Sequence, residues 1–169
     1  MRKRYELKTD DDIRKMRVAG QLTMIALAAV KAAIKPGVTT LQLDQIAEQT
    51  IRDLGGKPNF QMVPGYFHTI CASINSEVVH GIPSNRELKP GDLLSVDCGA
   101  EVDGWNGDSA FSIVVPGDDS ELARQRQTQS DVCEASLWAG IAAFAGASRL
   151  NEVGIAIEQH IRAQGPYGI

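Results

Sequence analysis

Three side chains between positions 80 and 108 could do chemistry together. His80 lies in Val78-Val79-His80-Gly81-Ile82-Pro83, Asp97 in Asp97-Cys98-Gly99-Ala100, and Asp108 at the end of Asp103-Gly104-Trp105-Asn106-Gly107-Asp108. The two aspartates interrupt segments that otherwise read as apolar strands. A carboxylate inside a strand needs a partner, and no neighbour in sequence is Lys or Arg. A bound cation is the leading candidate.

The alternation places the pair. Leu94, Val96 and Cys98 point one way, Ser95 and Asp97 the other; beyond the turn, Ser109, Phe111, Ile113 and Val115 share one face, Asp108, Ala110, Ser112 and Val114 the other. Asp103-Gly104 is a hairpin turn signal. A turn on those two residues sets Asp97 against Ala110 and Asp108 against Gly99. A turn centred one residue earlier sets Asp97 against Asp108. Either register puts both carboxylates on one face, with Cβ atoms roughly 5–8 Å apart. Two unpaired carboxylates that close repel, and a divalent cation removes the cost. An oxygen-only pair favours Mg, Mn or Fe over a structural zinc. Gly99 and Gly107 leave room for backbone or ligand to approach. Asp103 reads as an ordinary turn residue.

The pieces Ile70-Cys71-Ala72-Ser73-Ile74-Asn75, Glu77 to Pro83, Gly91-Asp92, Asp97-Cys98-Gly99 and Asp103 to Asp108 occur in an order that closely resembles bacterial-type methionine aminopeptidases. Weaker similarity covers nearly the whole chain. The resemblance implies an α+β pita-bread fold, a curved antiparallel sheet backed by helices. It implies removal of N-terminal methionine from nascent proteins by a centre of two divalent metal ions (Co, Mn, Fe or Zn). By it, Asp108 is a bridging ligand and Asp97 chelates one metal, which together could activate a water and polarise a carbonyl. His80 resembles a histidine that contacts substrate. Gly65-Tyr66 and Cys71 resemble the wall of a methionine pocket. Asn106 stands where many relatives carry a histidine that is not a ligand. His68 and His160 read as structural.

A faint repeat runs through the chain. Ala32-Ala33-Ile34 returns as Ala142-Ala143-Phe144, and Glu48-Gln49, Ile51-Arg52 and Gly55 return as Glu158-Gln159, Ile161-Arg162 and Gly165, each displaced by 110 positions. Both copies open with a helix pair. Only the first continues into strands with His80, Asp97 and Asp108. The expectation is therefore a single incomplete catalytic domain over 1–169, truncated at its C-terminus, holding the first half of the fold and the helix pair of the second. Its partial metal site would leave it inactive alone, with no residue assigned as catalytic, and uncovered apolar surface would favour self-association. The alternative is a non-catalytic pita-bread fragment that binds a partner or has no function. A proline-specific peptidase of the same fold is a further rival; the His80-Gly81-Ile82-Pro83 run favours the methionine enzyme.

The chain has 169 residues, is 43% hydrophobic and carries a net charge of −4, with no basic footprint for nucleic acid. No apolar run of about 18 residues is evident, so no membrane span is expected. The basic start Met1-Arg2-Lys3-Arg4-Tyr5-Glu6 lacks a following apolar segment and is not read as a signal peptide. Three cysteines without close spacing suggest reduced thiols and a cytoplasmic protein. Cys98 and Cys133 read as packing.

The elements that must position the site follow from caps and periodicity. Thr9 begins a helix over 10–35, with Ile13, Met16, Leu22, Ile25 and Ala29 as its apolar stripe and Pro36-Gly37 as its stop. Thr39 and Gln42 form a capping box for a helix over 41–54. Strands are expected over 69–74, 93–102 and 105–115, with apolar strand character before His80. Helices are expected over 120–145, with Leu137, Trp138, Ile141 and Phe144 as core, and over 150–163. Residues 58–65 and 84–90 read as loops.

Overall fold

The computed structural model describes residues 7–168; the basic start at 1–6 and the terminal Ile169 lie outside the described residues. Two compact units are present, divided between Asp118 and Asp119.

In the first unit, Thr9 caps α1 (Asp10–Ala33) reciprocally. The Asp12 N–H donates to Thr9 Oγ1 at 3.2 Å and the Thr9 N–H donates to the Asp12 carboxylate at 2.8 Å. Asp10, Asp11 and Asp12 place negative charge at the positive helix end. The helix stops at Ala33, two residues before the expected end, because the chain is already extended at Ile34 ahead of Pro36. Thr39 and Gln42 form the second reciprocal box, on α2 (Thr40–Asp53).

Four antiparallel strands follow. β3 (Leu93–Val102) is central; β1 (Lys57–Pro58) and β2 (Ile70–Ile74) pair along one edge and β4 (Trp105–Val114) along the other. β1 was not expected, and its Pro58 falls in the stretch read as loop, since two residues ending in proline carry no strand pattern. Leu94, Val96, Cys98 and Ala100 of β3, with Ile70, Ala72 and Ile74 of β2, form one buried face. They pack on Leu22, Ala26, Leu27 and Val30 of α1 and on Leu43, Ala47 and Ile51 of α2. Each large side chain buried there contributes about 1.5–3 kcal/mol. The other sheet face is mixed: Cys71, Ser73, Gly99 and Glu101 are buried, and Asp108 and Ala110 of β4 are exposed.

The stripe expected on α1 is displaced. Ala19, Leu22, Thr23, Ala26, Leu27 and Val30 are buried, whereas Ile13, Met16 and Ile25 are 46%, 41% and 52% exposed. Close approach decides this: a Cβ at Gly107 on β4 would sit 2.5 Å from the Ala19 carbonyl oxygen, so only small residues fit the contact. The premise that no apolar stretch of that length occurs needs correction. α1 is long and apolar enough, by length and composition, to cross a membrane. Here its apolar stripe packs against the sheet, as a core helix does.

The second unit is a helix pair, α3 (Glu121–Phe144) and α4 (Leu150–Gln164). Ser120 caps α3 by accepting from the Ala123 N–H at 3.2 Å. The repeat seen in sequence is present as paired lengths: α1 and α3 each have 24 residues, α2 has 14 and α4 has 15. Leu137, Trp138, Ile141 and Phe144 are not core; they are 54%, 59%, 49% and 67% exposed. Cys133 is exposed as well. The helices meet instead on the small-residue side of α3, where a Cβ at Gly140 would lie 2.8 Å from the Ile157 side chain.

Candidate metal centre

The turn selects the register. Asp103 and Gly104 both have positive φ, 50° and 84°, which is the two-residue type I′ turn. Val102 pairs with Trp105, so Asp97 faces Ala110 and Asp108 faces Gly99. The carboxylates are diagonal neighbours on one sheet face, Asp97 half-buried and Asp108 exposed. Burial, and next the Asp108 charge beside it, push the Asp97 pKa up; His80 pulls it back down. Among the described residues, neither aspartate has an ion pair with Lys or Arg. Nor do the described residues bring three or more His, Cys, Asp or Glu side chains together as a metal-holding group.

β2 supplies a wall beside the pair. Cys71 stands directly opposite Asp97 and is buried. The Tyr66 hydroxyl donates to the Ile70 carbonyl at 2.7 Å and lies 3.3 Å from Cys71 Sγ. Burial is the main cause that raises the pKa of both groups. Both stay protonated at neutral pH. Cys98, on the opposite face, is pushed up to about 12 by burial and is inert core.

His80 is not in strand-like surroundings. β2 ends at Ile74, Asn75 turns with φ 58°, and Val78 and Val79 are 89% and 66% exposed. The chain then returns to β2. The Ala72 N–H donates to the Gly81 carbonyl at 2.8 Å, and the Gly81 N–H donates to Ser73 Oγ at 3.0 Å. Only glycine fits at 81, since a Cβ there would lie 2.4 Å from the Ala72 carbonyl oxygen. His80, also at φ 58°, is held exposed at this edge, close enough to influence Asp97.

Two further residues escaped sequence reasoning. Asp44 of α2 is buried and accepts from the Thr69 N–H at 2.7 Å, the Ile70 N–H at 3.0 Å and His68 Nδ1 at 2.9 Å. It anchors the start of β2, and His68 packs edge-on against Tyr66 with ring centroids 5.9 Å apart. Its signal was present: a carboxylate at 44 shares a helical face with Ala47 and Ile51. Asn59 lies across Gly99. A Cβ at Gly99 would sit 2.1 Å from Asn59 Oδ1. The Asn59 N–H donates to the Gly99 carbonyl at 3.2 Å and Asn59 Nδ2 donates to Asn106 Oδ1 at 3.2 Å. Asn59 Oδ1 is buried with no hydrogen-bond partner. His160 lies on α4, in the other unit.

This arrangement coincides with a known family. Residues 14–169 match the model of metallopeptidase family M24. The chain belongs to that family. It is 48% identical over 149 residues to methionine aminopeptidase 1 of Mycobacterium tuberculosis, covering 88% of this chain and 54% of that protein. It is 38% identical over 157 residues to methionine aminopeptidase 1 of Bacillus subtilis, covering 91% and 60%. The methionine aminopeptidase structure from Rickettsia prowazekii superposes with a TM-score of 0.85 at 30% identity, over 93% of this chain and 62% of that one. Pseudomonas aeruginosa aminopeptidase PepP, at 21% identity and a TM-score of 0.78 over 93% of this chain and 34% of that one, shares the fold. This M24 chain thus has the α+β pita-bread fold of a metallo-exopeptidase family, and it spans between half and two thirds of the length of the curated relatives described.

Proposed function

We propose that this chain serves a metal-dependent methionyl aminopeptidase acting on peptide or nascent-protein N-termini in the cytoplasm, with Asp97 and Asp108 holding divalent cations. One observation carries the reading: two carboxylates share one sheet face beside the Cys71 wall, with no Lys or Arg partner among the described residues. The residues fit such a cation. They offer hard oxygen donors whose mutual repulsion is unrelieved, which suits Co, Mn, Fe or Zn as well as Mg. When bound, divalent cations supply Lewis-acid polarisation of the scissile carbonyl and an activated water.

The chain's own residues do the rest. Tyr66 and Cys71, with Gly65 beside them, offer an apolar, uncharged wall to a thioether side chain. The Tyr66 O–H is committed to the Ile70 carbonyl and the Cys71 thiol stays protonated, so both shape the pocket without taking part as nucleophiles. His80 presents an exposed imidazole that donates a hydrogen bond to the peptide and orients it.

The test is methionine release from a Met-Gly-Xaa tripeptide with added Mn or Co, by the protein that carries this chain, beside Asp108→Ala. Metal-dependent release lost in the variant supports the reading; equal release by the variant removes Asp108 from the site. Two carboxylates leave most positions of two six-coordinate cations to other donors. The isolated 169 residues are therefore proposed to be inactive alone. Methionine release by that isolated chain would refute this clause. The exposed Leu137, Trp138, Ile141 and Phe144 support self-association of the isolated chain, and a sharp monomer peak in sizing chromatography at high concentration would count against it.

A further inference from the structure

The supports on both sides of the Tyr66 ring lead back to one buried carboxylate. The loop that carries Tyr66 has little hold of its own. Residues 62–65 are exposed, Gly65 has φ 85° with open space where a side chain would stand, and Phe67 is 82% exposed. The Tyr66 hydroxyl donates to the Ile70 carbonyl at 2.7 Å, which fixes the far end of the side chain and leaves the ring plane to its neighbours. Two aromatic rings meet it edge-on. His68 stands 5.9 Å away between centroids at 70°, and Phe60 6.4 Å away at 71°. Edge-to-face contacts favour one ring orientation. His68 Nδ1 lies 2.9 Å from Asp44 Oδ2. Phe60 belongs to the short helical turn Phe60–Met62, where Gln61 Nε2 donates to Thr69 Oγ1 at 3.1 Å. The Thr69 N–H in turn donates to Asp44 Oδ1. Asp44 is 4% exposed on α2, whose Leu43, Ala47 and Ile51 lie in the core. Its Oδ1 alone accepts from both strand amides, so Oδ2 adds nothing to the anchoring of β2. That second oxygen is instead committed to a histidine whose side chain is still 23% exposed. Water could solvate it equally well; what the imidazole adds is an aimed ring.

Resting on the reading of Tyr66 and Cys71 as the wall that receives the methionine side chain, we infer that His68 is a positioning residue for that pocket. Aimed by Asp44, its ring edge fixes the tilt of Tyr66, and so the length of apolar side chain that the wall accepts. The Tyr66 hydroxyl lies 3.3 Å from Cys71 Sγ, so the same tilt decides how far the Cys71 thiol is covered. His68 acts through Tyr66 and takes no part in the chemistry of bond cleavage.

The probe is iodoacetamide at one fixed pH, with alkylation of Cys71 and of Cys98 followed separately by peptide mass spectrometry. It is applied to the 169-residue chain, to His68→Asn and to Tyr66→Ala. Asparagine keeps an N–H for Asp44 and removes the ring edge. Cys71 is expected to react at least fivefold faster in both variants, with Cys98, in the core, within twofold of wild type. In the protein that carries this chain, His68→Asn is expected to raise KM for Met-Gly-Xaa at least fivefold with kcat within twofold. It is also expected to narrow the preference for methionine over its S-ethyl homologue at least threefold. An unchanged Cys71 rate in a folded His68→Asn overturns the inference. Cys71 and Cys98 accelerated together in His68→Asn mark a general opening and overturn it equally. KM and preference unmoved by His68→Asn but moved by Tyr66→Ala overturn the inference and leave the pocket reading standing. KM and preference unmoved by Tyr66→Ala remove Tyr66 from the pocket and take the reading and the inference together. Should His68→Asn fail to fold, His68→Gln, which likewise has a donor and no ring, decides by the same outcomes.

Discussion

Replacing Asp44 isolates what holds the pocket wall. Its carboxylate accepts three hydrogen bonds, from the Thr69 N–H at 2.7 Å, the Ile70 N–H at 3.0 Å and His68 Nδ1 at 2.9 Å. Thr69 and Ile70 are both 0% exposed, so water cannot replace the lost acceptor. Asp44→Ala leaves two buried N–H groups orphaned, at about 1–3 kcal/mol each. The expected loss is about 2–6 kcal/mol, a large share of the roughly 5–15 kcal/mol that holds a domain folded. Asp44→Asn keeps Oδ1 for both amides, which share that one oxygen. It loses the charge assistance, which roughly doubles a neutral bond, and replaces the Oδ2 acceptor of His68 Nδ1 with an amide donor that the ring meets in its other tautomer, so about 1–2 kcal/mol is expected. Urea unfolding followed by far-ultraviolet circular dichroism measures both. A loss below about 1 kcal/mol in Asp44→Ala, or equal losses in the two variants, would refute the claim that orphaned amides carry the cost.

Asp97→Asn is expected to raise the thermal midpoint of the chelator-treated chain, because burial and the Asp108 charge both disfavour the Asp97 carboxylate, and to abolish Mn²⁺ binding; a lower midpoint would show the pair stabilising without metal. Gly81→Ala forces a Cβ to 2.4 Å from the Ala72 carbonyl oxygen, so a stability loss of about 1–3 kcal/mol by urea unfolding is expected, with loss of methionine release in the carrying protein while Mn²⁺ affinity persists. The Gly104 N–H holds the Glu101 carboxyl below its ordinary pKa of 4.5, so this group's stabilisation is complete above 4.5 and fades as pH falls through the lowered value. Glu101→Gln is expected to flatten the acid limb of the thermal midpoint against pH, and an unchanged acid limb would dismiss that bond as a contributor.

Much of the scaffold was legible because its causes are local. Thr9 with Asp12 and Thr39 with Gln42 are capping boxes readable at three-residue spacing. Asp103-Gly104 names its own turn, and the alternation through β3 and β4 puts Asp97 and Asp108 on one face whichever register holds. The choice between the two registers was also local in origin, since positive φ at both Asp103 and Gly104 centres the turn there.

What failed to show depends on which segments meet. The helix period alone favoured Ile13, Met16 and Ile25 on α1, yet the approach of Gly107 to Ala19 selects the alanine side. Leu137, Trp138, Ile141 and Phe144 have the pattern of core, but Gly140 lets α4 pack against a different side of α3. Asp44 is 24 residues from His68, and Asn59 is 47 from Asn106; no local signal joins them. The residue types and their spacing along β3 and β4 determined that two carboxylates share one face of a hairpin. Tertiary structure alone decided that β2 sets Cys71 opposite Asp97 and that the β1 segment lays an amide oxygen over Gly99. Strand pairing between distant segments is set by the whole buried face, whose energy no short window of sequence contains.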